Sequence, residues 1–248
     1  MKWRVRSPEC LMQKTISFLA VLFLARLILP GATCLAQAPA GKAPYPAMAP
    51  LDRYFVPDQN SEIALARTAA PASISDAAEV MVLGRDGFAT AVKGTNGFVC
   101  LVERSWGAAT DNRDFWNPKV RAPICFNPPA ARTVVPIFLM KTKLVLAGKS
   151  KTEMVQATAA AFDRKKLPAL ESGAMCYMLS KQQYLSDEGR SWHPHVMFFV
   201  AGSAAKSWGA DLPGSPVMAS DDPEERFTIF MVLVGKWSDG TPAPQAMH

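Results

Sequence analysis

The chain has 248 residues, 49% of them hydrophobic and 19% charged, with aromatic residues throughout, which excludes a disordered protein and leaves room for one sizeable core. Its formal charge of +6 is concentrated at one end: of 27 basic and 21 acidic side chains, five and one fall in the first 36 residues, leaving 22 and 20 beyond them. That balance excludes recognition of nucleic acid or of an anionic membrane through bulk charge.

Residues 1–14 are polar and basic, residues 15–29 are apolar apart from Thr15, Ser17 and Arg26, and Pro30-Gly31 follows. This is the order of parts in a signal peptide, and cleavage after Ala36 satisfies the small-residue rule, so the mature chain is expected to begin at Gln37. The apolar run is short against the roughly 20 residues of a membrane span and is interrupted by Arg26, so no stable span is expected once the leader is removed; an uncleaved anchor is the alternative. Gly31-Ala32-Thr33 before Cys34 does not form a lipidation site. The expected location is secreted or periplasmic, an oxidising compartment where a cysteine pair persists. Beyond the leader only Cys100, Cys125 and Cys176 remain, all in apolar settings that read as buried thiols. No disulfide framework is expected, although Cys100 and Cys125 pair if the intervening segment folds back.

Residues 37–57, with five prolines among alanines, read as a Pro/Ala-rich linker outside the core. Residues 58–239 read as one α+β domain and residues 240–248 as a flexible tail. Asn60-Ser61 opens a short helix that Pro71 ends. Segments 79–84, 88–93 and 98–104 read as strands joined by Asp86-Gly87 and Asn96-Gly97 turns, which predicts an antiparallel meander with Met81, Val92 and Leu101 side by side. Residues 105–129 lack periodicity and read as a long ordered loop of the kind that often carries function. Residues 131–147 fit either strand or helix. Ser150 to Glu153 forms a capping box that starts a helix running to Pro168. Segments 174–179, 194–201 and 227–234 complete a mainly antiparallel sheet of about six strands, with a short helix over 203–208. The plan is compatible with profilin-like or PAS-like folds, a likeness of architecture that implies no function.

Four groups of residues carry possible chemistry. His193 and His195 project together if Trp192 to His195 is extended, which makes them candidate ligands for a divalent metal such as Zn, with a third ligand required from Cys176, Glu171, Asp187 or Glu188. In one register of the 174–179 and 192–200 strands Cys176 faces His195 and Met178 faces His193, which supports a Cys-His dyad; a one-residue slip removes it. A structural role for these histidines is the stronger reading, and the metal is not favoured. Trp106, Phe115, Trp116, Arg121 and Trp192 are candidate ligand-binding residues, with Arg104, Arg113 and Lys119 nearby as possible anion partners. Asp221, Asp222, Glu224 and Glu225 lack the spacing of a calcium loop and read as a solvated turn.

The segments WNPKVRAPICFNPP and SWHPHVMFF resemble exported bacterial proteins of an uncharacterised family. The resemblance covers most of the chain beyond the leader, implies export and a single domain, and carries no activity or site residue with it. The expected function is a ligand- or partner-binding module of the cell envelope. Its partner would be a small molecule or an envelope protein, and residues 105–129 and Trp192 to His195 would wall one pocket. The alternative is a metal-dependent or thiol enzyme, hydrolase-like, centred on Cys176, His193 and His195.

Overall fold

The computed structural model describes residues 44–189 and 192–244. The expected signal peptide, the first part of the linker and the last four residues of the tail lie outside them. The fold is α+β: among the described residues there is one open mixed sheet of eight strands, rather than six, in the order β2-β1-β3-β4-β5-β6-β8-β7, with five helices. The strands are β1 (Glu79–Gly84), β2 (Gly87–Val92), β3 (Val99–Glu103), β4 (Ala122–Phe126), β5 (Met175–Met178), β6 (His195–Ala201), β7 (Val217–Asp222) and β8 (Phe227–Leu233). Helices α1 (Gln59–Arg67) and α2 (Ala72–Ser75) precede the sheet. Helices α3 (Pro128–Thr133), α4 (Val135–Leu146) and α5 (Lys151–Asp163) lie between β4 and β5 in sequence.

Helix starts follow local chemistry. Asp58, two residues before the expected Asn60-Ser61 cap, accepts from the Ser61 amide at 2.8 Å. The Ser150–Glu153 capping box is present in both directions. Residues 131–147 are helical because their prolines occupy first turns, where a missing N–H costs nothing: Pro128 and Pro129 open α3 beneath an Asn127 cap, and Pro136 opens α4.

The expected meander does not form. β1 and β2 pair as a hairpin, but Met81 lies opposite Thr90, and a bulge brings Val92 opposite Val80. β3 does not follow β2 across a turn; it lies on the other side of β1 and pairs with it in parallel, Val80 opposite Cys100. Gly94 permits the crossing, because a Cβ there would sit 2.1 Å from the Glu79 amide nitrogen. The expected loop of residues 105–129 likewise contains β4, a central strand buried at every position and therefore without the alternation that marks a half-exposed strand.

Cys100 and Cys125 face one another across β3 and β4 and form a disulfide, leaving Cys176 as the free, buried thiol among the described residues. The reading of Cys100 as a thiol is therefore corrected, and the alternative holds: the segment after β3 folds back over it, as the antiparallel strand β4, and brings the sulfurs together. Residues 44–57 also differ from the expected tether. Tyr54 is 1% exposed, its hydroxyl donates to the Trp116 carbonyl at 2.8 Å, and Tyr45, Met48 and Phe55 pack around the same cluster. Aromatic side chains spaced among the prolines give that segment apolar surface to bury.

The two faces of the sheet have separate cores. α1 and α2 cover Val80, Cys100, Val102 and Cys125. On the opposite face Leu101, Ile124, Phe126 and Cys176 pack beneath α3, α4 and α5. Beyond the reach of these helices, the second face continues over β5, β6, β8 and β7.

Candidate functional site

The strand register determines the floor of a cavity of about 420 Å³ on that second face. Met178 lies opposite His195, Met197 opposite Met231, and Phe199 opposite Ile229, so these alternate side chains form adjacent rows on one face. Phe227 and Asp222 pair at the end of the floor, Phe138 of α4 forms a side wall, and residues 104–114 with Trp192 complete the lining. The volume is within the range of small-molecule pockets.

The expected pairing of residues 105–129 with Trp192 and His195 around one pocket is thus realised in position, but by different side chains. Ser105, Gly107, Ala108 and Asp111 line the cavity. Trp106, Phe115 and Trp116 are instead buried beneath the loop, where Trp106 donates through Nε1 to Thr142 Oγ1 at 3.0 Å and stands beside Tyr54. Arg121 donates to the carbonyls of Val120 and Pro118 and ties down residues 53–55. Arg104 is fully buried and paired with Glu62 at 2.8 Å, while Arg113 and Lys119 pair with Glu188 and Asp187. Arg104, Arg113 and Lys119 are thus neutralised by carboxylates and Arg121 is held by carbonyls, which corrects their reading as anion receivers.

His195 is 2% exposed, and its ring stands 4.8 Å from that of Trp192. Its Nδ1 lies 2.8 Å from the His193 carbonyl, which can only accept, so Nδ1 carries the proton and Nε2 is left as an acceptor. Burial lowers the His195 pKa and keeps the ring neutral. No three His, Cys, Asp or Glu side chains converge as a metal site among the described residues. The proposed third ligands are engaged elsewhere: Glu171 with Arg132, Asp187 with Lys119 and Tyr184, and Glu188 with Arg113. The Cys-His register is displaced by two residues, Cys176 facing Met197 and Met178 facing His195. Burial raises the Cys176 pKa well above that of an ordinary thiol, the opposite of what a nucleophile needs.

The charged end of the cavity was not found from the sequence. Lys141 of α4 is 3% exposed; its Nζ contacts Glu225 at 2.6 Å and donates to the Ala108 carbonyl at 3.1 Å. Burial disfavours the ammonium, but Glu225, with help from Asp222 and Glu103, outweighs it and raises the pKa. Asp222 accepts from the Glu225 amide at 2.9 Å, so half of the supposed solvated turn is interior. Glu103, at the end of β3, lies against Gly107 so closely that a Cβ there would meet its Oε1 at 1.3 Å. Burial pushes its pKa up to about 8, Lys141 opposing and Glu225 adding to the rise, with no hydrogen bond to its carboxyl among the described residues. The available signal was Lys141, a lone charge inside the apolar helix VPIFLMKTKLVL, which requires a buried partner.

The chain matches no protein-family model, and no curated protein or solved structure resembles it significantly.

Proposed function

We propose that the protein is an exported domain that binds a small molecule with a largely apolar body in the cavity over β5, β6 and β8. The observation that carries this reading is the cavity itself: about 420 Å³, floored by Met178, Met197, Phe199, Ile229 and Met231, and ending in buried polar groups. An apolar basin with a few fixed polar groups suits a ligand held by burial and oriented by one end. The methionines add adaptable, polarizable surface. The order of parts in residues 1–36 supports export, as does a buried disulfide, which persists in an oxidising compartment.

Titration with the neutral apolar dye Nile red tests the reading. The dye is expected to brighten on the wild type and to lose affinity by about tenfold or more on Met197→Trp, whose indole fills the middle row of the floor. Equal dye binding by a folded Met197→Trp protein would refute the assignment to this cavity.

A further inference from the structure

We infer that the ligand of this cavity is an organic cation, an amine on an apolar body, whose ammonium meets Glu103 while the body lies on Met197, Phe199 and Met231. This inference rests on the cavity being a ligand site and names the class of its ligand.

Three observations support it independently of one another. The first is the commitment of charge. Among the described residues Arg104 is the one Lys or Arg lining the cavity and is paired with Glu62 at 2.8 Å, while Lys141, behind the lining residue Glu225, is paired with it at 2.6 Å. Of the carboxylates around it, Asp222 accepts from the Glu225 amide and Asp114 from the Asn117 side chain, whereas Glu103 and the exposed Asp111 have no hydrogen bond among the described residues, and of these two Glu103 is the one set into the interior. An anionic ligand would find no uncommitted cation and would face acidic walls; a cation would find an uncommitted carboxyl. The second observation is a surplus of acceptors. His195, almost wholly buried on the cavity face of β6, offers Nε2 because its Nδ1 proton is given to the His193 carbonyl. Ser105 is 3% exposed, lines the cavity, and its Oγ has no partner. A buried hydroxyl without a partner is rare in folded proteins, and Ser105 Oγ together with the acceptor nitrogen of His195 suits a ligand that donates hydrogen bonds. The third is the aromatic lining of Phe138, Phe199, Phe227 and Trp192, whose ring faces attract a cation.

The proton accounting follows from the position of Glu103. Lys141 faces it from α4, Glu225 and Asp222 from the β7–β8 turn, Cys176 from β5, His195 lines the cavity from β6, and Asp111 and Asp114 stand on the neighbouring loop. Burial holds the carboxyl protonated at neutral pH. When an ammonium enters, the carboxyl ionises, one proton passes to solvent, and a buried ion pair remains.

The test uses calorimetry with three probes of one shape: 4-phenylbutylamine, 4-phenylbutan-1-ol and 4-phenylbutyrate. The amine is expected to bind the wild type about tenfold more tightly than the other two. It should release about one proton per molecule bound, read from two buffers of different ionisation enthalpy, and tighten about tenfold between pH 6 and pH 7. Glu103→Gln is expected to erase the amine preference while keeping the alcohol. Gly107→Ala, whose new methyl displaces the Glu103 carboxyl, is expected to weaken the amine selectively. If Glu103→Gln fails to fold, the wild-type proton count decides. Alcohol or acid binding as tightly as the amine, or amine binding without proton release, would overturn the cation while leaving the cavity as a ligand site. Failure of all three probes and of Nile red would overturn both.

Discussion

Replacing Glu103 with Gln separates a buried acid from an ordinary one through the pH dependence of stability. In the folded chain burial pushes this carboxyl from its ordinary 4.5 up to about 8. Between those values the unfolded chain has released the proton and the folded chain has kept it, so stability falls as pH rises through the window and levels off above about 8. At about 1.4 kcal/mol per pH unit the ceiling is about 5 kcal/mol. Glu103 is partly accessible through the cavity, and water there solvates the ionised form, so about 2–3 kcal/mol is the working expectation. Gln keeps the shape and cannot ionise. Urea unfolding of both proteins at pH 5, 6.5 and 8 is expected to show similar stability at pH 5 and a variant more stable by about 2–3 kcal/mol at pH 8. Parallel pH profiles for the two proteins would refute the argument, because other titrating groups contribute equally to both and cancel.

Lys141→Met leaves Glu225 buried without its counter-charge and is expected to cost about 3–5 kcal/mol, most of it recovered in Lys141→Met/Glu225→Met, as chemical denaturation would show. Removing the Cys100–Cys125 bridge in a double Ala variant frees a loop with a sequence separation of 25 and is expected to cost about 3 kcal/mol. Thiol counting on denatured, unreduced protein should find Cys176 alone of the three cysteines beyond the leader. His195→Ala is expected to cost about 1–3 kcal/mol in thermal or urea unfolding. Because burial lowers the His195 pKa, the unfolded chain takes up the proton first as pH falls below about 6.5, so wild-type stability declines there; His195→Phe should lessen that decline.

Features set by short-range chemistry were readable in the sequence. The Ser150–Glu153 box, the Asp86-Gly87 hairpin and the strands at 175–178, 195–201 and 227–233 depend on neighbours a few residues away. What was missed depends on distant partners. β4 is buried on both faces, so its residues show no alternation, and Pro123 within it reads as a loop residue. The passage of the chain over the start of β1 is recorded locally only by Gly94, whose need becomes visible when Glu79 is beside it. For the site, Trp192 and His195 were identified as one wall because aromatic and imidazole groups at a strand start are conspicuous. Glu103, Lys141 and Glu225 meet from three separate elements, and an acidic run before a strand looks the same whether it faces water or an ammonium.

The meeting of Lys141 with Glu225 also bears on the order in which the molecule can be completed. A chain delivered from its N-terminus can lay β3 to β6 against one another in sequence, each new strand closing on the one before. The β7–β8 hairpin arrives last, 84 residues after Lys141, and brings its carboxylate with it. Until then the Lys141 ammonium has the Gly107 and Ala108 carbonyls and the Glu103 carboxyl near it but lacks its ion-pair partner. A chain that stops short of residue 225 therefore buries this ammonium without its carboxylate, and the last hairpin completes both the ion pair and the end of the cavity formed by Asp222 and Phe227.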